Sequence, residues 1–357
     1  MLIELISSIN NEPRRYSFDC LPGEAIYEAA ERAAIRLPIS CKNGVCHICR
    51  AKLVSGEVTT GTGANKRNVS VQSPSVESDA LVADTSDVEI MLCKTWPERS
   101  CEIEVRNIYA PGELPLKNVT CQVSSVEVIK GHVYQVELRL PAGKAPEFFA
   151  GQYLSLNLPG REDPAFFSIA SRPGLRMLTL HIQADPHLTS ALEVIQFLED
   201  KARENSLVSI SLPNGEACLT KTPQQPLILM AAGTGFAQMK SVIEHLLHLG
   251  FSYPVTLYWG VRKPEDLYLE SLAEQWQQQY SNFKFRPLIA DIENIQENAH
   301  HNQLSDAVLE DHPELENSLV FVSGSPKLVF SAMDALTEAG LPEDQFFSDV
   351  LAYASRG

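Results

Sequence analysis

The sequence predicts a multidomain chain of mixed α+β and α/β class, built from three successive units. Three observations support this prediction: a cysteine-rich loop framed by strands and a helix, a middle series of short alternating strands, and a strand–helix alternation in the last third. A length of 357 residues suits two to three domains of about 150 residues each.

Composition excludes several classes of protein. With 44% hydrophobic and 21% charged residues, a wholly disordered chain is excluded. The longest apolar run covers residues 226–232, far fewer than the roughly 20 residues of a membrane-spanning helix. The first residues lack a basic segment followed by an apolar one, so we expect no secretory signal and a cytoplasmic location.

The net charge of −16 argues against nucleic acid or a membrane as a partner, because both demand a basic face. The acidity is concentrated in residues 223–357, which carry 18 acidic and 7 basic side chains. Solubility is sufficient to explain this excess.

The first unit combines strand and helix patterns. An alanine-rich helix is predicted over residues 24–36 from its apolar spacing, and strands are predicted over residues 2–6, 16–18, 50–54, 88–92 and 101–105. These elements form a compact α+β unit.

Cysteine spacing is the strongest signal in this unit. Four of the eight cysteines, Cys41, Cys46, Cys49 and Cys93, follow the C-x4-C-x2-C…C pattern of a plant-type [2Fe–2S] cluster. A short loop supplies three sulfurs and a later strand the fourth, while Gly44 allows a tight turn. A disulfide framework is not expected in a cytosolic chain.

Three alternatives to this cluster remain. A structural zinc site prefers two C-x-x-C pairs, and only Cys46 and Cys49 form one. A Rieske centre needs two histidine ligands, and the loop offers His47 alone. Chance clustering of buried cysteines is the third alternative.

With these motifs, residues 1–106 resemble a plant-type ferredoxin domain of the β-grasp fold. His47 stands where that family usually has glycine. Cys49 and Cys93 are separated by 43 residues, and residues 61–78 are interpreted as an inserted surface loop. That loop is either a tolerated insertion or a docking loop for an electron acceptor.

Residues 107–117 hold two prolines and a glycine, which predicts a linker. Residues 132–140 then alternate strictly, and shorter strands are predicted over residues 151–156, 166–170 and 178–182, with a helix over residues 192–198. Many short strands with glycine and proline turns predict a small antiparallel barrel within residues 118–222.

Two barrel motifs, Gly151-Gln152-Tyr153 and Ala165-Phe-Phe-Ser-Ile169, resemble the flavin-binding β-barrel of the ferredoxin–NADP reductase-like family. The resemblance implies bound FAD, with an aromatic side chain on the isoalloxazine ring and a serine hydroxyl near N5. The residues implied at the cofactor are Tyr153, Phe167, Ser168 and Ile169.

Ala165 departs from this pattern, because the family carries arginine there to pair with the flavin phosphate. A charge-assisted contact of this kind contributes about 1.5–3 kcal/mol. Its loss would weaken flavin binding by about 10- to 100-fold. Arg161 and Arg172 are candidates to replace it.

The last third begins with the apolar run at residues 226–232, typical of a strand buried on both faces. The turn Gly233-Thr-Gly-Phe236 and an amphipathic helix follow, an arrangement that presents backbone amides to a pyrophosphate. Gln238 does not complete G-x-G-x-x-G. Strands over residues 255–260, 283–289, 319–324 and 345–347, with helices over 267–278 and 327–338, predict a doubly wound parallel α/β nucleotide-binding domain over residues 223–357.

Together with Tyr258-Trp-Gly260 and Ser323-Gly-Ser325, this turn resembles the NAD(P)H domain of the same reductase family. Phe346-Phe-Ser-Asp349 resembles its C-terminal segment near the flavin. The resemblance implies Ser168 and Ser323 as catalytic residues, Ser323 standing where many members have cysteine. Cofactor binding is assigned to Gly233, Thr234, Gly235, Phe236, Gly324 and Phe347.

The choice between NADH and NADPH stays open in the sequence. Arg262 and Lys263 follow the second strand, where a 2′-phosphate would bind, but so do Glu265 and Asp266. The low content of basic residues favours NADH.

The order of the three units resembles reductase components of multicomponent oxygenases and the reductase of CDP-6-deoxy-hexose biosynthesis. It implies an electron-transfer reductase that passes electrons from NAD(P)H through FAD to the [2Fe–2S] cluster, and on to an oxygenase or dehydrase partner. One alternative is an NAD(P)H:flavin reductase, suggested by Ala165. The other is a non-catalytic iron–sulfur redox sensor, suggested by His47, Ala165 and Gln238.

Overall fold

The computed structural model describes residues 1–9, 12–33, 35, 37, 42–44, 49–62, 65–71, 88–105, 108, 114–143, 146–187, 189–290 and 299–355. The chain forms two compact units, residues 1–115 and 116–357. Among the described residues, no helix is both long enough and apolar enough to cross a bilayer.

The first unit is a mixed sheet with one helix against it. Its strands are β1 (Leu2–Ile9), β2 (Glu12–Asp19), β3 (Arg50–Thr60), β4 (Arg67–Val71), β5 (Val88–Met91), β6 (Thr95–Pro97) and β7 (Cys101–Glu104), and its helix is α1 (Ile26–Arg32). The main order is β2-β1-β7-β3-β4, with β1 parallel to β7. Ile26, Ala29 and Ala30 are fully buried at helical spacing and join the core under the sheet, which confirms the β-grasp prediction.

The interpretation of residues 61–78 as a surface loop was wrong for part of that range. Arg67–Val71 forms β4, antiparallel to the end of β3, with Val69 opposite Val58. Val69 and Val71 pack against the core, so the stretch has the alternation of a strand. Residues 63–64 and 72–87 lie outside the described residues.

The second unit starts with a six-stranded antiparallel barrel. Its strands are β8 (Lys117–Lys130), β9 (Val133–Arg139), β10 (Tyr153–Leu156), β11 (Ala165–Ser168), β12 (Met177–Gln183) and β13 (Leu207–Asn214), in the order β11-β10-β13-β8-β9-β12. A bridge between Ile169 and Leu180 brings the two ends of this order together. Helix α2 (Thr189–Arg203) adds Val194, Ile195 and Leu198 to the barrel core.

A five-stranded parallel sheet completes the second unit. Its strands are β14 (Leu227–Ala232), β15 (Val255–Val261), β16 (Phe283–Ile289), β17 (Leu319–Ser323) and β18 (Phe346–Phe347), in the order β16-β15-β14-β17-β18. The helices are α3 (Phe236–His248), α4 (Glu270–Gln279), α5 (Ala299–Asp311), α6 (Pro326–Glu338) and α7 (Val350–Tyr353). The strand order reverses between β14 and β17, which confirms the doubly wound class and places a crevice at their carboxyl ends.

The multidomain α+β and α/β fold class is therefore confirmed. Strands β8 and β13 and helix α5 are additions that the sequence did not predict. The boundaries at residues 106, 117 and 222 stay predictions.

Candidate active site

Strand pairing brings two of the predicted cluster ligands together. Cys49 immediately precedes β3, Cys93 lies in a 3₁₀ turn after β5, and Arg50 of β3 pairs with Met91 of β5. Both cysteines are buried, and their Sγ atoms are 3.3 Å apart. This separation is too long for a disulfide, where the sulfurs are about 2.05 Å apart. Two buried thiol sulfurs this close together match the donor chemistry of a metal cluster.

The other predicted ligands, Cys41 and Cys46, lie outside the described residues, as does His47. Gly44 between them has φ of +87°, the conformation expected of the tight turn. By contrast, burial raises the pKa of Cys20 to about 11 and that of Cys101 to about 12. These two thiols stay protonated at neutral pH and are not expected to bind a metal.

On the barrel, Tyr153 and Ser168 are direct partners across β10 and β11 and therefore share a face. Phe166 lies on that face too, with its ring 5.8 Å from Tyr153 in an edge-to-face contact. Phe166 is 58% exposed, although it is aromatic. An uncovered aromatic side chain beside a half-buried hydroxyl fits a planar, polar-edged cofactor such as flavin.

The remaining predicted flavin residues lie differently. Phe167 points to the opposite face from Phe166 and packs, half-buried, against the barrel core with Ala165. Ile169 has no exposed side-chain surface, and its N–H donates to the Gln152 carbonyl at 3.1 Å. A cofactor contact by Ile169 is therefore limited to its backbone.

The two arginines suggested as substitutes at the flavin phosphate are engaged elsewhere. The Arg161 guanidinium forms an ion pair with Glu193 of α2. Arg172 Nη1 donates to the Pro173 carbonyl at 3.1 Å. Neither contact supplies the charge that Ala165 lacks.

Ala165 shares the face of Phe167, so Ala165→Arg tests which face of β11 the flavin phosphate occupies. With the phosphate on the Ala165 face, one added charge-assisted contact should tighten FAD binding by about 10- to 100-fold. The dissociation constant of the deflavinated protein for FAD, followed by quenching of flavin fluorescence, measures the change. Ala165→Met adds bulk without charge and controls for the larger side chain. Equal affinities for the arginine and methionine variants would contradict the prediction.

A cavity of about 550 Å³ opens at the carboxyl ends of the parallel strands. This is the crevice where doubly wound sheets bind nucleotides. Its lining includes Ala232 at the end of β14 and Gly233 and Thr234 after it. It also includes Gly260 and Val261 of β15, Arg262 after that strand, and Ser325 just before α6. Of the predicted nucleotide residues, Gly233 and Thr234 thus line the cavity directly.

The turn after β14 is a 3₁₀ turn, Gly233–Gly235, that leads directly into α3. Gly233 has φ of +53°, a conformation that glycine adopts without strain. Trp259 Nε1 donates to the Gly233 carbonyl at 2.9 Å. The predicted cofactor residue Phe236 is fully buried and stacks on Trp259, with ring centroids 3.9 Å apart. Phe236 therefore supports the turn from below, and only its backbone can face a nucleotide.

Ser323 ends β17 directly against this turn. A Cβ placed on Gly235 would lie 2.3 Å from the Ser323 carbonyl oxygen, so only glycine fits there. A Cβ on Gly324 would lie 2.6 Å from Leu328 Cδ2. The two predicted glycines thus let three chain segments converge beside Ser323.

The predicted cofactor residue of the C-terminal segment, Phe347, packs on the parallel sheet. Phe347 stacks on Phe321 of the sheet, with centroids 4.8 Å apart and planes 16° apart. Next to it, the Ser348 hydroxyl is buried and has no hydrogen-bond partner in the described part of the chain. A buried unpaired hydroxyl is a group that a bound cofactor or water satisfies.

Sequence reasoning missed the polar side chains that join α3 to the barrel. Ser241 Oγ donates to the Ser171 carbonyl at 2.8 Å, and Lys240 Nζ donates to the Ala170 carbonyl at 3.3 Å. Gln238 donates to Gly151 O at 2.9 Å. A glutamine among the buried residues of an amphipathic helix was the available signal.

A second missed contact pairs His181 of β12 with Tyr268, Nδ1 to hydroxyl at 3.0 Å. Burial lowers the pKa of His181 to about 3, so its imidazole is neutral at physiological pH. Tyr268 also meets Phe236 and Trp259 edge to face. The pair therefore joins the barrel to the rings of Phe236 and Trp259, which pack beside the Gly233–Gly235 turn. This turn is called the nucleotide turn below.

Two family matches agree with this arrangement. Residues 9–97 match the 2Fe-2S iron-sulfur cluster binding domain, and residues 229–334 match the oxidoreductase NAD-binding domain. The first range contains all four predicted cluster cysteines, which decides against the zinc alternative. The second contains the turn and most of the cavity lining.

Two named relatives match nearly the whole chain. The chain is 31% identical over 342 residues to reductase component 1 of terephthalate 1,2-dioxygenase from Comamonas sp, covering 96% of each protein. It is 28% identical to the CDP-6-deoxy-L-threo-D-glycero-4-hexulose-3-dehydrase reductase of Yersinia pestis, covering 91% of this chain and 92% of the relative. A crystal structure of the Amycolatopsis cytochrome P450 reductase GcoB has a similar fold, with a TM-score of 0.58 over 97% of this chain, 98% of that chain and 24% identity.

The named relatives are reductases, so the non-catalytic sensor is set aside. The Cys49–Cys93 pair suits an iron–sulfur cluster. The barrel face with Tyr153 suits a flavin, and the cavity at the carboxyl ends of the parallel strands suits a nicotinamide nucleotide. The chain belongs to the family of iron–sulfur flavoprotein reductases, which carry electrons from NAD(P)H through FAD to a [2Fe–2S] cluster and on to a partner protein.

Proposed function

We propose that this protein is the reductase component of a multicomponent oxygenase and uses NADH as its electron donor. The observation that carries the proposal is the end-to-end likeness to a dioxygenase reductase component, at 31% identity over 96% of both chains. The partner is then an oxygenase component that accepts electrons one at a time from the cluster.

The site residues are assigned to this path as follows. Bound FAD supplies the conversion between two-electron and one-electron transfer. The Ser168 hydroxyl would hydrogen-bond to the flavin, and Tyr153 would pack against its ring. The amides of the Gly233–Gly235 turn would bind the pyrophosphate of NADH, and Ser323 would contact the nicotinamide. The cluster is held by Cys41, Cys46, Cys49 and Cys93.

The residue ranges of the domains belong to the same proposal. We assign cluster binding to residues 1–106, FAD binding to residues 118–222 and NADH binding to residues 223–357, with residues 107–117 as a linker. Each range contains one of the three groups of site residues.

The preference for NADH is supported by the charges at the cavity. Asp266 and Arg262 both line it, so a 2′-phosphate bound by the guanidinium would also meet a carboxylate. Asp266 Oδ2 accepts a hydrogen bond from the Lys263 N–H at 3.2 Å, which holds it in place. An uncharged ribose 2′-hydroxyl avoids this repulsion.

A flavin reductase that releases reduced flavin is the second candidate. Ala165 favours it, because weak flavin binding suits flavin as a substrate. In that case the cluster would take no part in turnover, which distinguishes the two candidates.

An anaerobic titration tests the proposed path. The full-length protein is purified without added flavin, and its visible spectrum and EPR spectrum are recorded as NADH is added. We expect flavin bleaching followed by a rhombic [2Fe–2S] signal, with NADPH requiring higher concentrations than NADH. Dithionite, which reduces the cluster directly, gives the full signal as the control. A cluster signal with dithionite but none with NADH, even after FAD is added back, would refute the proposal.

A further inference from the structure

Gln238 lies in the first turn of α3, directly after the nucleotide turn, and its side chain is 3% exposed. Its Nε2 atom is 2.9 Å from Gly151 O, 3.0 Å from Ala217 O and 3.1 Å from Asp349 Oδ2. All three partners are acceptors, so the amide must present its NH₂ group to them. Because the NH₂ group has only two protons, the three oxygens share them.

The three acceptors belong to the segments that carry the proposed site. Gly151 starts the Gly151-Gln152-Tyr153 motif of the barrel. Ala217 belongs to the loop after β13, and Asp349 to the C-terminal segment after β18. Gln238 itself is continuous with the nucleotide turn. A single side chain therefore joins the flavin side and the nucleotide side.

Asp349 links the same segments through its other carboxylate oxygen, and these contacts of Gln238 and Asp349 are called the junction below. Its Oδ1 accepts the N–H groups of Glu216 at 2.9 Å and Ala217 at 3.1 Å. A Cβ on Gly215 would lie 2.8 Å from both Asp349 Oδ1 and the Tyr153 ring, so the carboxylate and the ring lie against one glycine. The position of Asp349 thus bears directly on the position of Tyr153.

The junction is retained at a cost in folding free energy. Burial raises the pKa of the Asp349 carboxyl despite its three hydrogen-bond donors. Burial and the nearby Asp349 also raise the pKa of Tyr153. Titratable groups whose pKa values are shifted by burial together with a specific neighbour are frequent at functional sites.

We propose that Gln238 and Asp349 are positioning residues that hold the nucleotide turn and the C-terminal segment in register with the Tyr153 face of the barrel. They would thereby set the relative positions of the bound flavin and nicotinamide, without contacting either reacting atom. The inference rests on the site proposed above.

Gln238→Met removes the amide and keeps a side chain of similar length. We expect the dissociation constant of the deflavinated full-length protein for FAD to rise by about 10-fold, because the three oxygens lose the two protons that they share. We also expect flavin reduction at saturating NADH, measured by stopped flow, to slow by about 10-fold while the cluster spectrum after dithionite stays unchanged. Gln278→Met, on the exposed surface of α4, is the matched control and should leave both values unchanged.

Asp349→Asn is the second variant, since it is nearly isosteric. If its oxygen keeps the Glu216 and Ala217 amides, its NH₂ group faces the NH₂ group of Gln238, and the link is broken. The double variant should then be no worse than the poorer single variant, because both act on one contact.

A lowered melting temperature with unchanged FAD affinity and reduction rate in either variant would overturn the inference. So would fully additive effects in the double variant. If the wild-type protein is not reduced by NADH at all, the proposed function fails instead, and FAD affinity alone still tests the role of Gln238.

Discussion

Cys49→Ser is expected to eliminate electron delivery through the cluster while leaving NADH oxidation by the flavin intact. Cys49 is 2% exposed, and its sulfur lies 3.3 Å from that of Cys93. Serine is a poor ligand for iron because its hydroxyl stays protonated, whereas cysteine binds as thiolate. Mutation of a residue that only hydrogen-bonds to a metal ligand lowers metal affinity or activity by about 10- to 100-fold. Loss of a ligand itself should therefore lower cytochrome c reduction by about 100-fold or more.

Two readouts separate this effect from general damage. NADH:ferricyanide activity, which needs only the flavin, should stay near the wild-type value. Cys101→Ser provides the matched control, because Cys101 is a buried cysteine of the same unit at 5% exposure, outside the ligand set. It should keep the EPR signal and lose only about 1 kcal/mol of folding stability. A Cys49→Ser protein with the full [2Fe–2S] signal would remove Cys49 from the cluster.

Gly235→Ala is expected to disrupt the nucleotide site by steric conflict alone. Gly235 has φ of −55°, which alanine adopts easily, so backbone strain is not the cause. The added methyl group would lie 2.3 Å from the Ser323 carbonyl oxygen and 2.8 Å from its carbon, both backbone atoms that cannot rotate away. The turn and β17 must separate, at a cost of about 1–3 kcal/mol.

Because this separation opens the nucleotide cavity, we expect KM for NADH to rise by about 10-fold or more. Steady-state kinetics with ferricyanide measure the change without involving the partner. Gly250→Ala is the control: at φ of +67° it carries backbone strain, but nothing lies within 4 Å of the added methyl. It should lower stability without changing KM. An unaltered KM in Gly235→Ala would show that the turn does not bind the nucleotide.

The cluster loop and the nucleotide turn were predictable because their chemistry depends on residue type at fixed spacing. Four cysteines at set intervals, or glycines between a buried strand and a helix, are visible without three-dimensional information. Strand β4 was not predictable in the same way, because Val69 and Val71 gain their partners only when β3 extends to Thr60. Pairing between distant segments decided its structure.

The two phenylalanines of the barrel motif illustrate another limit. Adjacent residues on a strand face opposite sides, and the sequence does not state which side is the core. Strand register puts Phe166 on the face of Tyr153 and the half-buried Phe167 on the opposite face, against the barrel core. Similarly, Gln238 was judged as a missing glycine of a motif. Its role as a donor depends on Ala217 and Asp349, which lie 21 and 111 residues away.

The position of Trp259, stacked on Phe236, makes intrinsic tryptophan fluorescence a probe of the nucleotide cavity. The indole is fully buried, yet its N–H holds Gly233, which lines the nucleotide cavity. Reduced nicotinamide absorbs where indole emits, so a dinucleotide in that cavity becomes an energy acceptor for this tryptophan. Trp276 lies in the same group of aromatic rings, with its centroid 6.3 Å from that of Phe236, so its emission should also report occupancy of the cavity. Nucleotide binding in this cavity should therefore quench the tryptophan emission before any electron is transferred.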